Sequence, residues 1–272
     1  MAVTKNDRVI DQTLEVHGRM VASRLRPGSP DRTPLLLCCG IGASQEALQP
    51  LVDALDESIP VVTFDVPGVG RSPVPALPYT FHQVACLSDA LMGQLGFDRY
   101  DVLGFSWGGG LAQQIAWQHR RHVRRLVLLA TGTGVLMVPG RFEVLSKMLS
   151  PRRFRDPAYA ASIAEQLYGG RARRRSDNVG ELYAHLSGGS RRGYAYQLLA
   201  GAFWTSLPWL PTITQPTLIM AGDDDPIIPV ANAKIMAALI PRARLHIYRG
   251  GHLDAVLEAN RLAPEISAFL DE

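Results

Sequence analysis

The sequence predicts an α/β protein with a mostly parallel central sheet, helices on both faces and an inserted helical cap. Short apolar runs alternate with longer helical patterns over the first half of the chain, and the alternation resumes after Pro216. Residues 134–210 between these parts show no clear strand pattern and hold many aromatic and arginine residues. We therefore expect a core domain of residues 1–133 and 211–272 and a cap of residues 134–210.

The individual elements follow from hydrophobic periodicity. Residues 12–25 alternate polar and apolar positions and are interrupted at His17-Gly18, which predicts a hairpin. The apolar runs that follow predict strands at residues 35–39, 61–64, 100–105, 125–130, 217–221 and 245–248. The segments between them predict helices at residues 46–56, 81–95, 107–119, 230–239 and 255–270.

Composition limits the class of protein. Of the 272 residues, 47% are hydrophobic and 19% charged, which is typical of a chain with a full apolar core. No apolar run approaches the roughly 18 residues of a membrane span. The first residues carry no apolar stretch, so we expect no signal peptide and a cytoplasmic location. The odd number of cysteines, Cys38, Cys39 and Cys86, in apolar settings indicates reduced thiols.

Charge is distributed unevenly along the chain. The net charge is +3, whereas Lys and Arg outnumber Asp and Glu by 11 to 5 between Arg141 and Arg192. A basic segment of this kind is most often a solvated helical face, although it also suits an anionic surface or an acidic product. We favour the solvated face and expect no nucleic-acid partner.

One short motif predicts a nucleophile. Gly104-Phe105-Ser106-Trp107-Gly108 is the G-x-S-x-G pattern, and it lies between a predicted strand and a predicted helix. In this context the serine sits on a tight turn with its hydroxyl exposed, and the glycines allow the neighbouring backbones to approach. The pattern therefore indicates nucleophilic catalysis by Ser106 rather than an ordinary glycine turn.

A serine nucleophile needs a base, and histidine is the usual one. His185, His246 and His252 follow Ser106 at a useful distance. His252 comes just after the last strand, at the sheet edge where Ser106 should emerge, and sites form at that edge. We therefore predict His252 as the base, with structural roles for His185 and His246.

The third member should be a carboxylate after the preceding strand. The sequence there reads Gly222-Asp223-Asp224-Asp225-Pro226, so spacing alone leaves three candidates. Proline biases the residue before it towards an extended backbone, which favours one held orientation for Asp225. Asp225 is our first choice and Asp224 the next.

Acyl transfer also requires hydrogen-bond donors for the developing oxyanion. The backbone N–H of Trp107, directly after the nucleophile, is one expected donor. The other should come from the glycine loop at residues 39–43, where we predict the Ile41 amide and keep Gly42 as the alternative. Gly42 is also placed among the substrate-binding residues.

Two other chemistries are disfavoured. Gly40-Ile41-Gly42 suggests a dinucleotide loop, but the third glycine of that motif is replaced by Gln45. His119 and His122 are three residues apart, yet no acid or thiol accompanies them at a convincing spacing, so we expect no metal site. No cofactor is expected.

A wider set of motifs is similar to a known family. Residues 65–72 read Asp-Val-Pro-Gly-Val-Gly-Arg-Ser and resemble the D-x-P-G-x-G-x-S turn of α/β-hydrolases, and Gly222, Asp225 and Pro229 agree with it. Within that fold the chain most resembles intracellular polyhydroxyalkanoate depolymerases of the medium-chain-length type. The segments that carry this resemblance in the cap are residues 138–140, 150–153, 168–170, 196–198 and 204–206.

The resemblance implies a serine ester hydrolase that acts on polyesters of 3-hydroxy fatty acids, at storage granules inside the cell. It implies Ser106, Asp225 and His252 as the catalytic triad and Ile41 and Trp107 as oxyanion donors. This chain has Cys39 where a histidine commonly precedes the first oxyanion glycine, so no histidine side chain assists there.

An apolar ester also suits the side chains of the cap. Met137, Phe142, Met148, Phe203 and Trp204 are predicted to line an acyl pocket, since methionine and aromatic side chains accept varied apolar ligands. Fold does not fix function. A general carboxylesterase, thioesterase or acyltransferase, a cofactor-free carbon–carbon hydrolase and an idle ligand-binding protein therefore stay open as alternatives. The sequence does not predict the oligomeric state.

Overall fold

The computed structural model describes residues 9–148, 156–170 and 190–272. An eight-stranded sheet lies at its centre, with the strand order β1-β2-β4-β3-β5-β6-β7-β8. The strands are β1 (Ile10–Val16), β2 (Arg19–Arg26), β3 (Leu35–Cys38), β4 (Val61–Phe64), β5 (Tyr100–Phe105), β6 (Val123–Leu129), β7 (Thr217–Gly222) and β8 (Ala243–Tyr248).

The sheet is parallel across the strands β4-β3-β5-β6-β7-β8, and the antiparallel pairings are those of β2 with β1 and with β4. The predicted hairpin is confirmed, and its turn residues His17 and Gly18 both have positive φ, of 49° and 71°. Two-residue hairpin turns of this kind match the twist of the flanking strands. The predicted parallel sheet is also confirmed.

Helices pack on both faces. They are α1 (Gln49–Ala54), α2 (Phe81–Gln94), α3 (Trp107–Gln118), α4 (Phe142–Met148), α5 (Pro157–Tyr168), α6 (Arg191–Ala202), α7 (Val230–Leu239), α8 (Asp254–Leu257) and α9 (Ala259–Asp271). Two predicted helices are divided. A 3₁₀ turn, Gln45–Leu48, precedes α1, because Pro50 favours a helix start at Gln49. The predicted helix 255–270 is α8 followed by α9.

The alternation of side chains along the strands divides the core into two layers. Leu35 and Leu37 pack on one face of the sheet, and Leu36 and Cys38 pack on the other. Cys38 and Cys39 are buried and Cys86 is partly buried, and all three are free thiols, as predicted. Burial raises the pKa of the Cys38 and Cys39 thiols, which keeps them protonated and unreactive.

The segment between β6 and β7 carries α4, α5, α6 and a 3₁₀ helix, Leu207–Thr212. In the described part of this segment an isolated antiparallel bridge pairs Gly134 with Thr205, near its two ends. Seven of the eleven Lys and Arg residues between Arg141 and Arg192 lie outside the described residues, as does His185. Among the described helices, none has both the length and the apolar character needed to cross a membrane.

Candidate active site

Ser106 lies on the tight turn between β5 and α3. Its backbone has φ 55° and ψ −121°, a strained conformation for a residue with a side chain. The flanking glycines are required by close packing. A Cβ atom on Gly104 would lie 2.2 Å from the Gly108 carbonyl oxygen, and one on Gly108 would lie 2.2 Å from that of Cys38. The glycines therefore let α3 approach β5 and β3 and raise Ser106 at the sheet edge.

The structure brings Ser106, His252 and Asp225 into one hydrogen-bonded chain. His252 Nε2 lies 2.9 Å from Ser106 Oγ, and His252 Nδ1 lies 2.7 Å from Asp225 Oδ2. A carboxylate only accepts hydrogen bonds, so Nδ1 carries the proton and Nε2 is free to accept the one from Ser106. All three side chains are buried. This arrangement can activate the serine oxygen as a nucleophile.

The three consecutive acids have separate partners. Asp225 Oδ1 accepts hydrogen bonds from the amides of Ile227 and Ile228, both at 2.9 Å, which fixes the carboxylate that faces His252. Asp224 Oδ2 accepts from the Gly170 amide, and Asp223 Oδ1 accepts from the Gly250 amide, each at 2.9 Å. Geometry therefore selects Asp225 from the alternatives that spacing left open. The other described candidate base, His246, pairs with Glu265 at 2.6 Å.

Residues 168–170 support these loops, a role that the sequence did not predict although it singled out this segment. The Tyr168 carbonyl oxygen accepts a hydrogen bond from the His252 amide at 2.8 Å. A Cβ atom on Gly169 would lie 2.1 Å from the Asp224 carbonyl oxygen, and one on Gly170 would lie 2.1 Å from the amide nitrogen of Gly251, which precedes His252. The consecutive glycines in the cap are the signal for this close approach, but nothing in the sequence says what they approach.

The predicted oxyanion donors border the nucleophile. Ile41 and Trp107 line the same cavity as Ser106. The Trp107 amide belongs to the first turn of α3, where backbone N–H groups have no partner within the helix. Within the described residues the Ile41 N–H also donates no hydrogen bond. The Gly42 N–H, which was the alternative donor, is already bound to Gln197 Oε1 at 2.8 Å.

A cavity of about 420 Å³ opens beside Ser106, and its walls are mainly apolar. Met137, Met148 and Trp204, three of the residues expected to bind substrate, are among those that line it. Further lining residues are Phe81, Val135, Leu145, Leu198, Leu199, Ile227 and Ile228.

Three of the predicted substrate-binding residues do not line this cavity. Gly42 has its amide turned to Gln197. Phe142 begins α4 and Phe203 follows the last residue of α6, and their side chains are 84% and 87% exposed. Each ring lies at a helix end and faces solvent instead of the cavity.

The expectation that His119 and His122 lack a partner acid is wrong. Asp89 lies within 3.1 Å of the Nδ1 atom of His119 and 2.7 Å of that of His122. Asp89 lies on α2. Because α2 packs against α3, Asp89 is close in space to His119 and His122 although it is far from them in the sequence. Spacing in the sequence does not reveal this kind of partner.

Comparison with known proteins agrees with the geometry. Residues 33–259 match the α/β-hydrolase fold family. The chain is 43% identical over 263 residues to a poly(3-hydroxyalkanoate) depolymerase from Ectopseudomonas oleovorans, covering 97% of this chain and 93% of that protein. It is 23% identical to a 3-oxoadipate enol-lactonase of Acinetobacter baylyi, over 89% of this chain and 90% of that protein.

Solved structures show the same fold. An enol-lactonase from Burkholderia xenovorans LB400 superposes with a TM-score of 0.83 at 23% identity, covering 96% of this chain and 100% of its own. A hydrolase from Pseudomonas aeruginosa PA01 also superposes with a TM-score of 0.83, at 25% identity, covering 96% and 98% of the two chains.

Proposed function

The chain belongs to the α/β-hydrolase fold family, and we propose that it is a serine hydrolase that cleaves the ester bonds of poly(3-hydroxyalkanoates) with medium-length side chains. The observation that carries this proposal is the hydrogen-bonded chain of Ser106, His252 and Asp225 beside an apolar cavity. The 43% identical depolymerase, which this chain matches over almost its whole length, supports the substrate class.

The first half of the reaction acylates the serine. Ser106 Oγ attacks the ester carbonyl carbon while His252 Nε2 takes the hydroxyl proton, and the carbonyl electron pair moves to oxygen. Collapse of the tetrahedral intermediate re-forms the carbonyl and breaks the bond to the alcohol oxygen. His252 gives its proton to that leaving oxygen, so the hydroxyl end of the polymer departs neutral.

The second half releases the acid. Water loses a proton to His252 Nε2 as its oxygen attacks the acyl-enzyme carbonyl carbon, and the proton returns to Ser106 Oγ when the bond to serine breaks. Asp225 holds the His252 tautomer and stabilises the imidazolium. The Ile41 and Trp107 amides bind the oxyanion in both halves, where charge develops. No cofactor takes part in these steps.

The apolar cavity supports side chains longer than methyl. Burial of each CH₂ contributes about 0.8 kcal/mol, so a pentyl side chain gains roughly 3 kcal/mol over a methyl if it is fully buried. That difference corresponds to on the order of 100-fold in specificity. The methionines Met137 and Met148 in the cavity wall adapt to flexible alkyl chains.

An apolar rim around the cavity supports contact with a solid polyester. We define this rim as Val135, Leu136, Leu199 and Phe203, all of them exposed large hydrophobic residues. Val135 and Leu199 also line the cavity, and the Val135 amide binds the Trp204 carbonyl oxygen, next to Phe203. Exposed apolar groups gathered at one opening mark a binding surface. Association with polyester storage granules inside the cell is part of this proposal.

We expect the protein to release soluble 3-hydroxyoctanoate from colloidal poly(3-hydroxyoctanoate) at least tenfold faster than it releases monomer from colloidal poly(3-hydroxybutyrate), because the cavity buries the longer side chain. The measurement is chromatography of soluble products from both colloids, with p-nitrophenyl octanoate as a soluble reference. Cleavage of the soluble ester without polymer turnover would leave an esterase or thioesterase and refute the polyester substrate.

A pair of variants separates docking from chemistry. Phe203→Ser, in the rim, should lower the polymer rate severalfold and leave the soluble-ester rate unchanged. Ile10→Ser is the matched control, because Ile10 is also exposed but begins the edge strand β1. Equal effects of the two variants on the polymer rate would show that the rim is not the docking surface.

A further inference from the structure

We propose that Gln197 of the cap is a positioning residue that holds both parts of the oxyanion hole. The side-chain oxygen of Gln197 accepts the Gly42 N–H at 2.8 Å, and its backbone oxygen accepts the Trp107 indole N–H at 2.9 Å. Gln197 is 1% exposed, so these hydrogen bonds are shielded from water. Breaking one leaves a buried polar group without a partner, which costs more free energy than the same loss at the surface. The inference rests on the proposed function, since it concerns the same site.

The bond to Gly42 fixes the turn that presents Ile41. The Ala43 amide binds the Gly40 carbonyl oxygen at 3.2 Å, so Ile41 and Gly42 are the central residues of a β-turn. Gly42 has φ 72°, as in a type II turn. Types I and II differ by a flip of the central peptide group, whose N–H is that of Gly42. A flipped peptide would place the Ile41 carbonyl oxygen near Gln197 Oε1, where two acceptors repel.

Helix α6 can hold Gln197 in place because it is fastened to the core on both sides of this residue. Towards its start, Gly193 packs so closely on the Gly68 carbonyl oxygen that a Cβ atom would lie 2.0 Å away. Just beyond its end, Trp204 Nε1 donates to Gln114 Oε1 at 2.8 Å. The cap therefore sets the geometry of the oxyanion donors and does more than cover the pocket.

Loss of this bond should act on the transition state. Oxyanion donors stabilise charge that is absent in the bound ester, so their misplacement lowers kcat more than it raises KM. In Gln197→Ala the backbone bond to Trp107 is kept and only the Gly42 bond is lost. We expect kcat for p-nitrophenyl octanoate to fall about 10- to 100-fold, below the 10²–10³-fold typical of removing a donor itself.

The test compares three variants on soluble ester, so it is independent of polymer turnover. Gln197→Glu keeps an acceptor for the Gly42 N–H and should retain most of kcat. Thr205→Val removes a different bond between cap and core, the one that Thr205 Oγ1 donates to the Thr133 carbonyl oxygen at 2.7 Å, and should leave kcat within about threefold. Binding of an octyl trifluoromethyl ketone, which forms a tetrahedral adduct on serine, should weaken in Gln197→Ala by the same factor as kcat.

Two results would overturn the inference. One is a Thr205→Val variant as impaired as Gln197→Ala, which would mean that kcat depends on how the cap is anchored and not on the Gly42 bond. The other is a Gln197→Ala variant with raised KM but unchanged kcat and unchanged affinity for the ketone. If Gln197→Ala does not fold, failure of Gln197→Glu to retain activity in a folded protein contradicts the proposal as well.

An independent observation carries a second proposal: we infer that Asp89, His119 and His122 form a Zn²⁺ site. Asp89 Oδ2 lies 3.1 Å from His119 Nδ1, and Asp89 Oδ1 lies 2.7 Å from His122 Nδ1. The ligand atoms of the three residues all lie within 4.8 Å of one another. Two imidazole nitrogens and a carboxylate, with water in the fourth position, are a common zinc ligand set.

The surroundings suit a metal site. Tyr100 donates its hydroxyl to Asp89 Oδ1 at 2.7 Å, which orients the carboxylate in the way that neighbours of metal ligands do. Tetrahedral ligands about 2.0–2.1 Å from zinc lie roughly 3.3 Å apart. The distance between Asp89 Oδ1 and His122 Nδ1 therefore needs to increase only slightly to admit the ion. α3 has 12 residues, so it separates Ser106 from this site by roughly 18 Å. The role of a metal ion here is therefore to join α2 to the end of α3.

We expect untagged, chelator-treated protein to bind one Zn²⁺ in calorimetry, with a rise in Tm and no change in esterase rate. The double variant His119→Asn/His122→Asn should lose at least about tenfold in affinity. His246→Asn is the matched control, because His246 is also partly exposed and also pairs with a carboxylate, that of Glu265. Absence of binding to the wild type, or equal affinity in the double variant, would overturn the site. Zinc that instead inhibits ester hydrolysis at one equivalent would indicate binding at His252.

Discussion

Ser106→Ala is expected to lower kcat for p-nitrophenyl octanoate by about 10⁴- to 10⁶-fold. The variant removes the attacking oxygen and leaves His252 and the oxyanion amides in place, so the residual rate is that of water attack in a preorganised site. Steady-state kinetics with active-site titration of the wild type measures the loss. Because alanine also carries a Cβ atom, the strain at φ 55° stays and the Tm should change little.

A second serine gives the control for this variant. Ser88 is fully buried on α2, and its hydroxyl donates to the Val84 carbonyl oxygen of the same helix at 2.8 Å. Ser88→Ala should therefore keep kcat while it tests the effect of losing a buried hydroxyl. A Ser106→Ala protein that retains activity within tenfold of the wild type would mean that another group is the nucleophile.

Asp225→Asn should lower kcat by about 10⁴-fold. The Ile227 and Ile228 amides require an acceptor, so the asparagine oxygen should turn towards them and its NH₂ group towards His252. His252 Nδ1 must then accept a hydrogen bond, which moves the ring proton to Nε2, where it faces Ser106. The imidazole is then in the wrong tautomer to act as a base. Kinetics on the soluble ester measures this loss.

Asp224→Asn separates this effect from a general change of charge in the loop. Asp224 accepts the Gly170 amide through one oxygen, and asparagine retains an oxygen for that bond. We expect a loss in kcat below about tenfold. If Asp224→Asn were the more damaging variant and Asp225→Asn nearly neutral, the carboxylate assignment would have to be exchanged.

The core and the triad follow from the sequence because they depend on local patterns. Alternating strands and helices predict a parallel sheet, and the carboxyl ends of parallel strands meet at one edge. Ser106, Asp225 and His252 each follow a predicted strand, so their order along the chain is enough to predict that they meet. Spacing did not separate Asp225 from Asp224, because the choice depends on which side chain the loop turns towards His252.

Contacts across distant segments were out of reach. Gln197 binds Gly42 over 155 positions of the chain, and Asp89 reaches His122 over 33, so each depends on how helices pack in space. Composition indicated an apolar cap but did not give the direction of individual rings. Phe142 and Phe203 were predicted in the pocket and lie in solvent, because each sits at the end of a helix.

The most direct test of the central claim is the release of 3-hydroxyoctanoate from colloidal poly(3-hydroxyoctanoate) by wild type and Ser106→Ala, with the products identified by chromatography and mass spectrometry. We predict release by the wild type alone, because the polymer ester must be attacked by Ser106. Equal release by both proteins would contradict the serine mechanism. No release by a wild type that still cleaves p-nitrophenyl octanoate would contradict the polyester substrate.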